Sequence, residues 1–173
     1  PKCQTFTKEL WVEKQNQYLL NTEYFHVVFT LPDQLNAIIL QNQEITYHLL
    51  FKAVSETLLE LCADNRYLGA VPGITAVLHT WGQNLMFHPH IHCIVTGGGL
   101  THDRRWRCSK KKFFLPIKVL SRKFRGKFLC FLNQSGFSPD PALYKKEWVV
   151  YCKPPFQNAS RVVEYLGRYT HRV

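Results

Sequence analysis

The sequence contains no apolar run near the roughly 18 residues that span a bilayer, and no signal peptide opens it. It also lacks any pair of cysteines at CxxC spacing. Its six cysteines are scattered, which argues against a disulfide framework or a self-contained zinc finger and favours a reducing cytoplasm. No repeat or low-complexity segment is present. With 173 residues, 46% of them hydrophobic, the chain is long and apolar enough for one compact domain and is not a disordered tail.

Acidic residues are scarce, at 12 against 22 basic ones, and the net charge is +10. The imbalance is local, because residues 101–130 hold eleven basic side chains against Asp103 alone, interleaved with aromatic residues. Such a segment is either a solvated basic face or a strip that binds polyanions, and we predict nucleic acid rather than an acidic membrane surface. The DNA-binding residues predicted here and near the C-terminus are Arg104, Arg105, Arg107, Lys110, Lys111, Lys112, Arg122, Lys123, Arg125, Lys127, Arg161, Arg168 and Arg172.

Hydrophobic periodicity predicts an α+β protein. The order is strand, helix, β-hairpin, helix, strand and helix, which suits an antiparallel sheet with helices packed on one face. The lead-in over 1–22 is irregular or helical. Strands are predicted over 24–31, 74–81, 90–96 and 148–153, and helices over 35–39, 44–65, 117–132 and 161–169. The second strand follows the break at 72–73, and the third stops at the glycines of 97–99.

Histidines are densest at 88–92, in the sequence HPHIH. On a strand, His90 and His92 project to one face while Ile91 enters the core, so the two imidazoles form a natural metal-binding pair. The neighbouring strand of the hairpin supplies His79 as the first choice for a third ligand, with Gln83 as the alternative. His88 either joins the site or lies in the turn. Two histidines on a solvated sheet face remain the simpler interpretation.

The C-terminal segment YLGRYTHR places Tyr165 and Tyr169 on adjacent turns of one helix face, with arginines along one edge. Tyrosines beside aliphatic residues often only pack. A tyrosine hydroxyl has a reference pKa of about 10, however, and next to a metal ion that polarises a phosphate it can act as a nucleophile. Arginines can hold the same phosphate by bidentate contacts. The three features together predict phosphodiester transfer through a covalent phosphotyrosine.

Several sequence motifs are similar to those of a known protein family: FHVVFTLP, AVLHTWGQNL, HPHIHCIVTGGGL, LPIKVLSRKFRGKFL, WVVYCKPPF and YLGRYTHRV. They resemble, over essentially the whole chain and in order, the two-tyrosine transposases of rolling-circle insertion sequences. These belong to the HUH endonuclease superfamily, and the similarity is to insertion-sequence family ninety-one and the related common-region elements. The resemblance implies a ferredoxin-like or palm-like antiparallel sheet with helices packed on it and the catalytic tyrosines on the C-terminal helix.

The resemblance also implies a chemistry. His90 and His92 would hold Mg²⁺ or Mn²⁺, and His79 fits its place in the family-like HTWGQ stretch. Tyr165 and Tyr169 would cleave single-stranded DNA at transposon ends and target, leaving a 5′-phosphotyrosine and a free 3′-hydroxyl. A bacterial cytoplasmic protein, nucleoid-associated when bound to DNA and without a membrane partner, is the corresponding expectation.

Two departures from the family pattern bear on domain organisation. Family members begin with a Cys-rich zinc-binding module, and residues 1–22 resemble its end, so Cys3 is expected to be a remnant zinc ligand and Zn²⁺ to belong only to the absent module. Residues 23–173 form the HUH nuclease domain, which is expected to be truncated at its C-terminus. Two other functions stay open: a non-catalytic domain that binds single-stranded nucleic acid, and a metal-dependent phosphodiesterase with a water nucleophile.

Overall fold

The computed structural model describes residues 2–82, 86–110, 114–156 and 159–167. These ranges contain five strands and five α-helices. The strands are β1 (Tyr24–Thr30), β2 (Val71–Trp81), β3 (Phe87–Leu100), β4 (Trp106–Cys108) and β5 (Val150–Cys152). The helices are α1 (Lys2–Gln17), α2 (Asn36–Gln41), α3 (Gln43–Ala63), α4 (Ile117–Gln134) and α5 (Ala159–Gly167). The α+β order expected from periodicity is confirmed, and the lead-in is helical.

The strands form one antiparallel sheet in the order β2-β3-β1-β5, and β4 pairs with the far end of β3. β2 and β3 are the predicted hairpin. Their register sets His79 opposite His90 and Val77 opposite His92. Cross-strand partners share a face of the sheet, so this register decides which histidines meet.

Helices cover both faces of this sheet, whereas the sequence predicted them on one. α3 and α4 pack on the face that carries Phe29 and Ile91, and Phe29 meets Phe124 of α4 edge-on with ring centroids 5.0 Å apart. The opposite face is also partly apolar, and there Val163 of α5 is buried in a second, smaller cluster. The expectation of one covered face was wrong because the order of elements along the chain does not fix the side of the sheet on which a helix packs, and the second face has apolar residues of its own for α5.

β3 runs to Leu100, beyond the predicted stop at the three glycines. A Cβ at Gly97 would lie 2.7 Å from the Glu23 carbonyl oxygen, and one at Gly99 would collide with the Val71 carbonyl. The glycines therefore let neighbouring backbone approach the strand closely, and the predicted end of the strand at these residues was wrong. The extension is what pairs with β4.

Within the part of the chain that the structure describes, no helix has both the length and the apolar character needed to cross a membrane.

Candidate active site

Three histidines meet on the sheet face opposite α3 and α4. His79 projects from β2, and His90 and His92 project from β3, with ring centroids 4.3 Å apart for His79 and His92 and 4.9 Å apart for His90 and His92. One ring nitrogen from each lies within 4.8 Å of the others. The placement follows from alternation along β3 and from the β2–β3 register. Gln83, the alternative third ligand, lies outside the described residues.

The backbone orients His90. Its Nδ1 lies 2.7 Å from the carbonyl oxygen of His88. A carbonyl oxygen only accepts hydrogen bonds, so Nδ1 carries the proton and donates it, and the lone pair of neutral His90 is on Nε2. His88 thus contributes its backbone to the site, and its side chain is not in the group of three.

A fourth histidine, which the sequence analysis missed, lies beside the three. His26 of β1 is buried, and its Nε2 is 2.8 Å from Nδ1 of His92, with the two rings stacked at 20° and 5.0 Å. The signal was present in the strand YFHVVFT, because alternation puts His26 on the face opposite Phe25 and Val27. Only the pairing of β1 with β3 shows that this face is the one with the other histidines.

The cluster is neutral at physiological pH. Burial, with a smaller contribution from neighbouring positive charge, lowers the pKa of His26 and of His79 to about 4 and that of His92 to about 2. Burial likewise lowers the pKa of His90. Metal ions bind the neutral form of imidazole, so no proton has to be removed from the cluster before an ion binds near pH 7.

The donor set fits a divalent cation. Two nitrogens bound to one ion at about 2.1 Å are at most about 4.2 Å apart, so small ring rotations would bring the three ligand atoms into range. The three imidazoles come from two adjacent strands of a packed sheet, which holds their backbones in place. Three protein ligands also leave positions at an ion open to substrate and water.

Helix α5, which contains Tyr165, packs on the same face as the histidines. Its Val163 and Leu166 are buried against Val77 and Ile94, the residues next to His79 and His92 along that face. A Cβ at Gly167 would lie 2.5 Å from Cγ2 of Val12, so α1 packs closely against α5. Tyr165 belongs to α5 by its backbone, while its side chain, like Tyr169, Arg168 and Arg172, lies outside the described part of the chain.

The basic residues of the loop and strand after β3 have local partners. Arg105 pairs with Asp103, and the Arg107 guanidinium donates to the carbonyl of Gly69 at 3.2 Å. Arg104 adopts a φ of 58° in the turn between β3 and β4. This loop and β4 lie at the opposite end of β3 from the histidines. Lys110 is exposed beyond β4, and Lys111 and Lys112 lie outside the described residues.

The basic residues of α4 lie on the other side of the sheet from the histidines. Lys123 pairs with Glu60 at 2.7 Å, and Lys127 pairs with Glu56 at 2.8 Å, both across the contact with α3. Arg125 donates to the Lys146 carbonyl at 2.6 Å, and Arg122 is exposed. Their role in DNA binding stays a prediction. A DNA strand bound at the histidines would have to pass to the opposite face of the sheet to contact them.

A cation that the sequence analysis did not select lies beside the histidines. The Lys153 backbone N–H donates to the His26 carbonyl at 2.9 Å, and the register of Cys152 with Val27 sets Lys153 opposite His26. The side chain of Lys153 therefore shares the histidine face, and its charge contributes to the lowered pKa values of His26 and His92. Tyr151 of β5 is exposed on the same face.

Solved structures with a similar fold are conjugative relaxases. A metal-bound complex of the relaxase TrwC with origin DNA superposes with a TM-score of 0.52 at 17% identity, covering 67% of this chain and 45% of that one. A TrwC complex with a 27-mer DNA, which comprises the recognition hairpin and cleavage site, gives 0.51 at 17% identity and covers 65% and 45%. These similarities confirm the HUH-type fold.

Curated relatives are transposases. "Putative transposase y4qJ" of Sinorhizobium fredii is 47% identical over 100% of this chain and 49% of that protein. The transposase of insertion sequence IS801 from Pseudomonas savastanoi is 28% identical over 98% of this chain and 44% of that protein. The chain thus spans about half the length of the curated relatives it matches.

Family models agree with these relatives. The transposase zinc-binding domain of IS91 type matches residues 1–31, the region of Cys3, whose side chain lies outside the described residues. The Y2 transposase model, described as "Putative transposase", matches residues 73–173, which include the hairpin with the three histidines and both tyrosines of the C-terminal segment. The chain therefore belongs to the Y2 transposase family, as the resemblance of its motifs predicted.

Proposed function

We propose that this chain carries out the DNA cleavage and strand transfer of a rolling-circle transposase, through a 5′-phosphotyrosine and with a divalent metal ion. One observation carries the proposal: the helix that contains Tyr165 packs beside the three histidines, on the same face of the sheet. A metal site and a candidate nucleophile on one face are what a metal-assisted transesterification needs.

His79, His90 and His92 would hold the ion, which supplies Lewis-acid polarisation of the scissile phosphate. Of the two expected ions, the donor set favours Mn²⁺ over Mg²⁺, because Mg²⁺ prefers oxygen ligands and the three side chains offer only imidazole nitrogen. Zn²⁺ remains the expected ion only for a zinc-binding module to which Cys3 would contribute.

Tyr165 or Tyr169 would attack the phosphorus through its hydroxyl oxygen. The tyrosine loses its proton, the bond from phosphorus to the 3′ oxygen breaks, and the released 3′ oxygen takes up a proton. The new phosphotyrosine bond conserves the energy of the phosphodiester it replaced, so a later attack by a 3′-hydroxyl rejoins DNA without ATP. Two tyrosines would let one strand end stay attached while another is cut.

Single-stranded DNA is the proposed partner. The similar relaxases were solved with origin DNA, and the histidine face of this chain has the cation Lys153 at its edge. Arg161 is exposed on α5, the helix that packs on this face. Cations there would neutralise phosphates that flank the scissile one.

The experiment is incubation of the chain with a randomised pool of single-stranded oligonucleotides and Mn²⁺, followed by denaturing electrophoresis. A 3′-end label should move to the mass of the protein plus DNA, while a 5′-end label should remain on a shorter free fragment. Both products should disappear with chelator. Cleavage without the protein-bound band would instead favour a phosphodiesterase with a water nucleophile, and binding without cleavage would favour a non-catalytic domain.

Lys153→Gln should weaken binding of single-stranded DNA and reduce the salt dependence of the affinity. Loss of one phosphate contact should lower the slope of log affinity against log salt by about 0.7. Fluorescence anisotropy across a salt series measures both quantities. Lys123→Gln is the matched control, since Lys123 is paired with Glu60 behind the sheet, and it should leave the slope unchanged. The reverse result would favour the basic face of α4 as the DNA site.

A further inference from the structure

The fourth histidine of the cluster is placed to act on the metal site without binding the ion. His26 contacts His92 through Nδ1 of His92, at 2.8 Å, and both side chains are buried. Only Nε2 of His92 is then left as a ligand atom. We propose that His26 is a positioning residue: it accepts a hydrogen bond from His92 and so fixes the tautomer and ring orientation in which His92 presents Nε2 to the ion.

The tautomers follow from the geometry. A neutral His92 with its lone pair on Nε2 carries its proton on Nδ1, so Nδ1–H is the donor and Nε2 of His26 is the acceptor. His26 must therefore carry its own proton on Nδ1. The stacked arrangement of the two rings, 20° from parallel, further limits rotation of His92.

The fold holds His26 as firmly as the ligands. β1 is an inner strand, paired with β3 on one side and with β5 on the other, and the His26 carbonyl accepts from the Lys153 N–H at 2.9 Å. His90 and His92 thus have separate orienting partners, a backbone carbonyl for His90 and a buried imidazole for His92. Partners of this kind typically change metal affinity by 10–100-fold when removed.

The inference rests on the proposed metal site, and it is tested by metal binding and not by cleavage alone. His26→Phe keeps a ring for stacking and removes the acceptor, whereas in His26→Gln the side-chain amide oxygen can accept from Nδ1–H of His92. We expect His26→Phe to bind Mn²⁺ about 10-fold more weakly than the wild-type chain, and His26→Gln to recover most of the affinity. Electron paramagnetic resonance of free Mn²⁺ in a titration measures the affinity directly.

His48→Phe, at an exposed position on α3, is the matched control and should bind Mn²⁺ like the wild-type chain. The melting temperature of each metal-free variant separates a local effect on the ion from loss of the fold. Equal Mn²⁺ affinity in His26→Phe and wild type, or equal losses in the Phe and Gln variants at unchanged melting temperature, would overturn the positioning role alone. Failure of the wild-type chain to bind Mn²⁺ would overturn the proposed metal site together with this inference.

Discussion

Loss of one ligand nitrogen by His90→Ala should reduce metal-dependent DNA cleavage by more than about 100-fold. In the proposed mechanism, polarisation of the phosphate by the ion would contribute several kcal/mol of transition-state stabilisation, and a site with two imidazoles would hold the ion weakly. Single-turnover cleavage of a labelled oligonucleotide, at the lowest Mn²⁺ concentration that saturates the wild-type chain, measures the effect. Binding of DNA in chelator should change little, because the ion is absent from that assay.

His88→Ala is the informative control for this prediction. His88 lies two residues away on the same strand, and it holds His90 through its backbone carbonyl, which the substitution leaves in place. The variant should therefore retain most of the cleavage rate. Equal losses in the two variants would place the effect in the strand as a whole, and undiminished cleavage in His90→Ala would contradict the assignment of the ion to this cluster.

The double variant Tyr165→Phe and Tyr169→Phe should form no covalent DNA adduct, since phenylalanine has no oxygen to bond to phosphorus. Each single variant should retain part of the adduct, because the other tyrosine can still attack. All three variants keep the aromatic ring at each position, so affinity for single-stranded DNA should stay close to that of the wild-type chain. Denaturing electrophoresis with a 3′-labelled oligonucleotide measures the adduct.

Tyr151→Phe provides the matched control for the tyrosine variants. Tyr151 is exposed on β5, on the histidine face, and is therefore a third hydroxyl near the site. Its removal should leave the adduct unchanged. A persisting adduct in the double variant that disappears when Tyr151 is also replaced would move the nucleophile to β5. Full-rate cleavage by the double variant without any adduct would indicate a water nucleophile.

The residue patterns predicted the structure best where it depends on residues that are close together in the sequence. Alternation in HPHIH placed His90 and His92 on one face of β3, and the short spacing between two strand patterns predicted the hairpin that brings His79 to them. These predictions held because neighbours along a strand and across a hairpin are set by a few adjacent residues. The predicted end of β3 was less accurate, because the role of Gly97 and Gly99 depends on backbone that approaches from elsewhere in the chain.

The positions of the basic residues in the sequence predicted poorly where their charges lie on the folded protein. The basic residues of 101–130 fall in one segment of the sequence, but they lie in two separate places in the structure. One group is on β4 and the loop before it, where Arg107 contacts the Gly69 carbonyl, and the other is on α4, on the opposite face of the sheet from the histidines. A lysine from a different segment, Lys153, reaches the histidine face instead. Net charge indicated a polyanionic partner but not where such a partner lies.

By itself, the sequence determined the order of the secondary-structure elements, the placement of His90 and His92 on one face of a strand, the helix that contains Tyr165, and the family. The tertiary structure decided which side of the sheet each group occupies. It brought His26 from β1 to His92, set α5 beside the three histidines and placed α4 on the other face. The physical reason is that the period of a strand or helix fixes relative facing within an element, whereas long-range pairing and burial decide which faces meet.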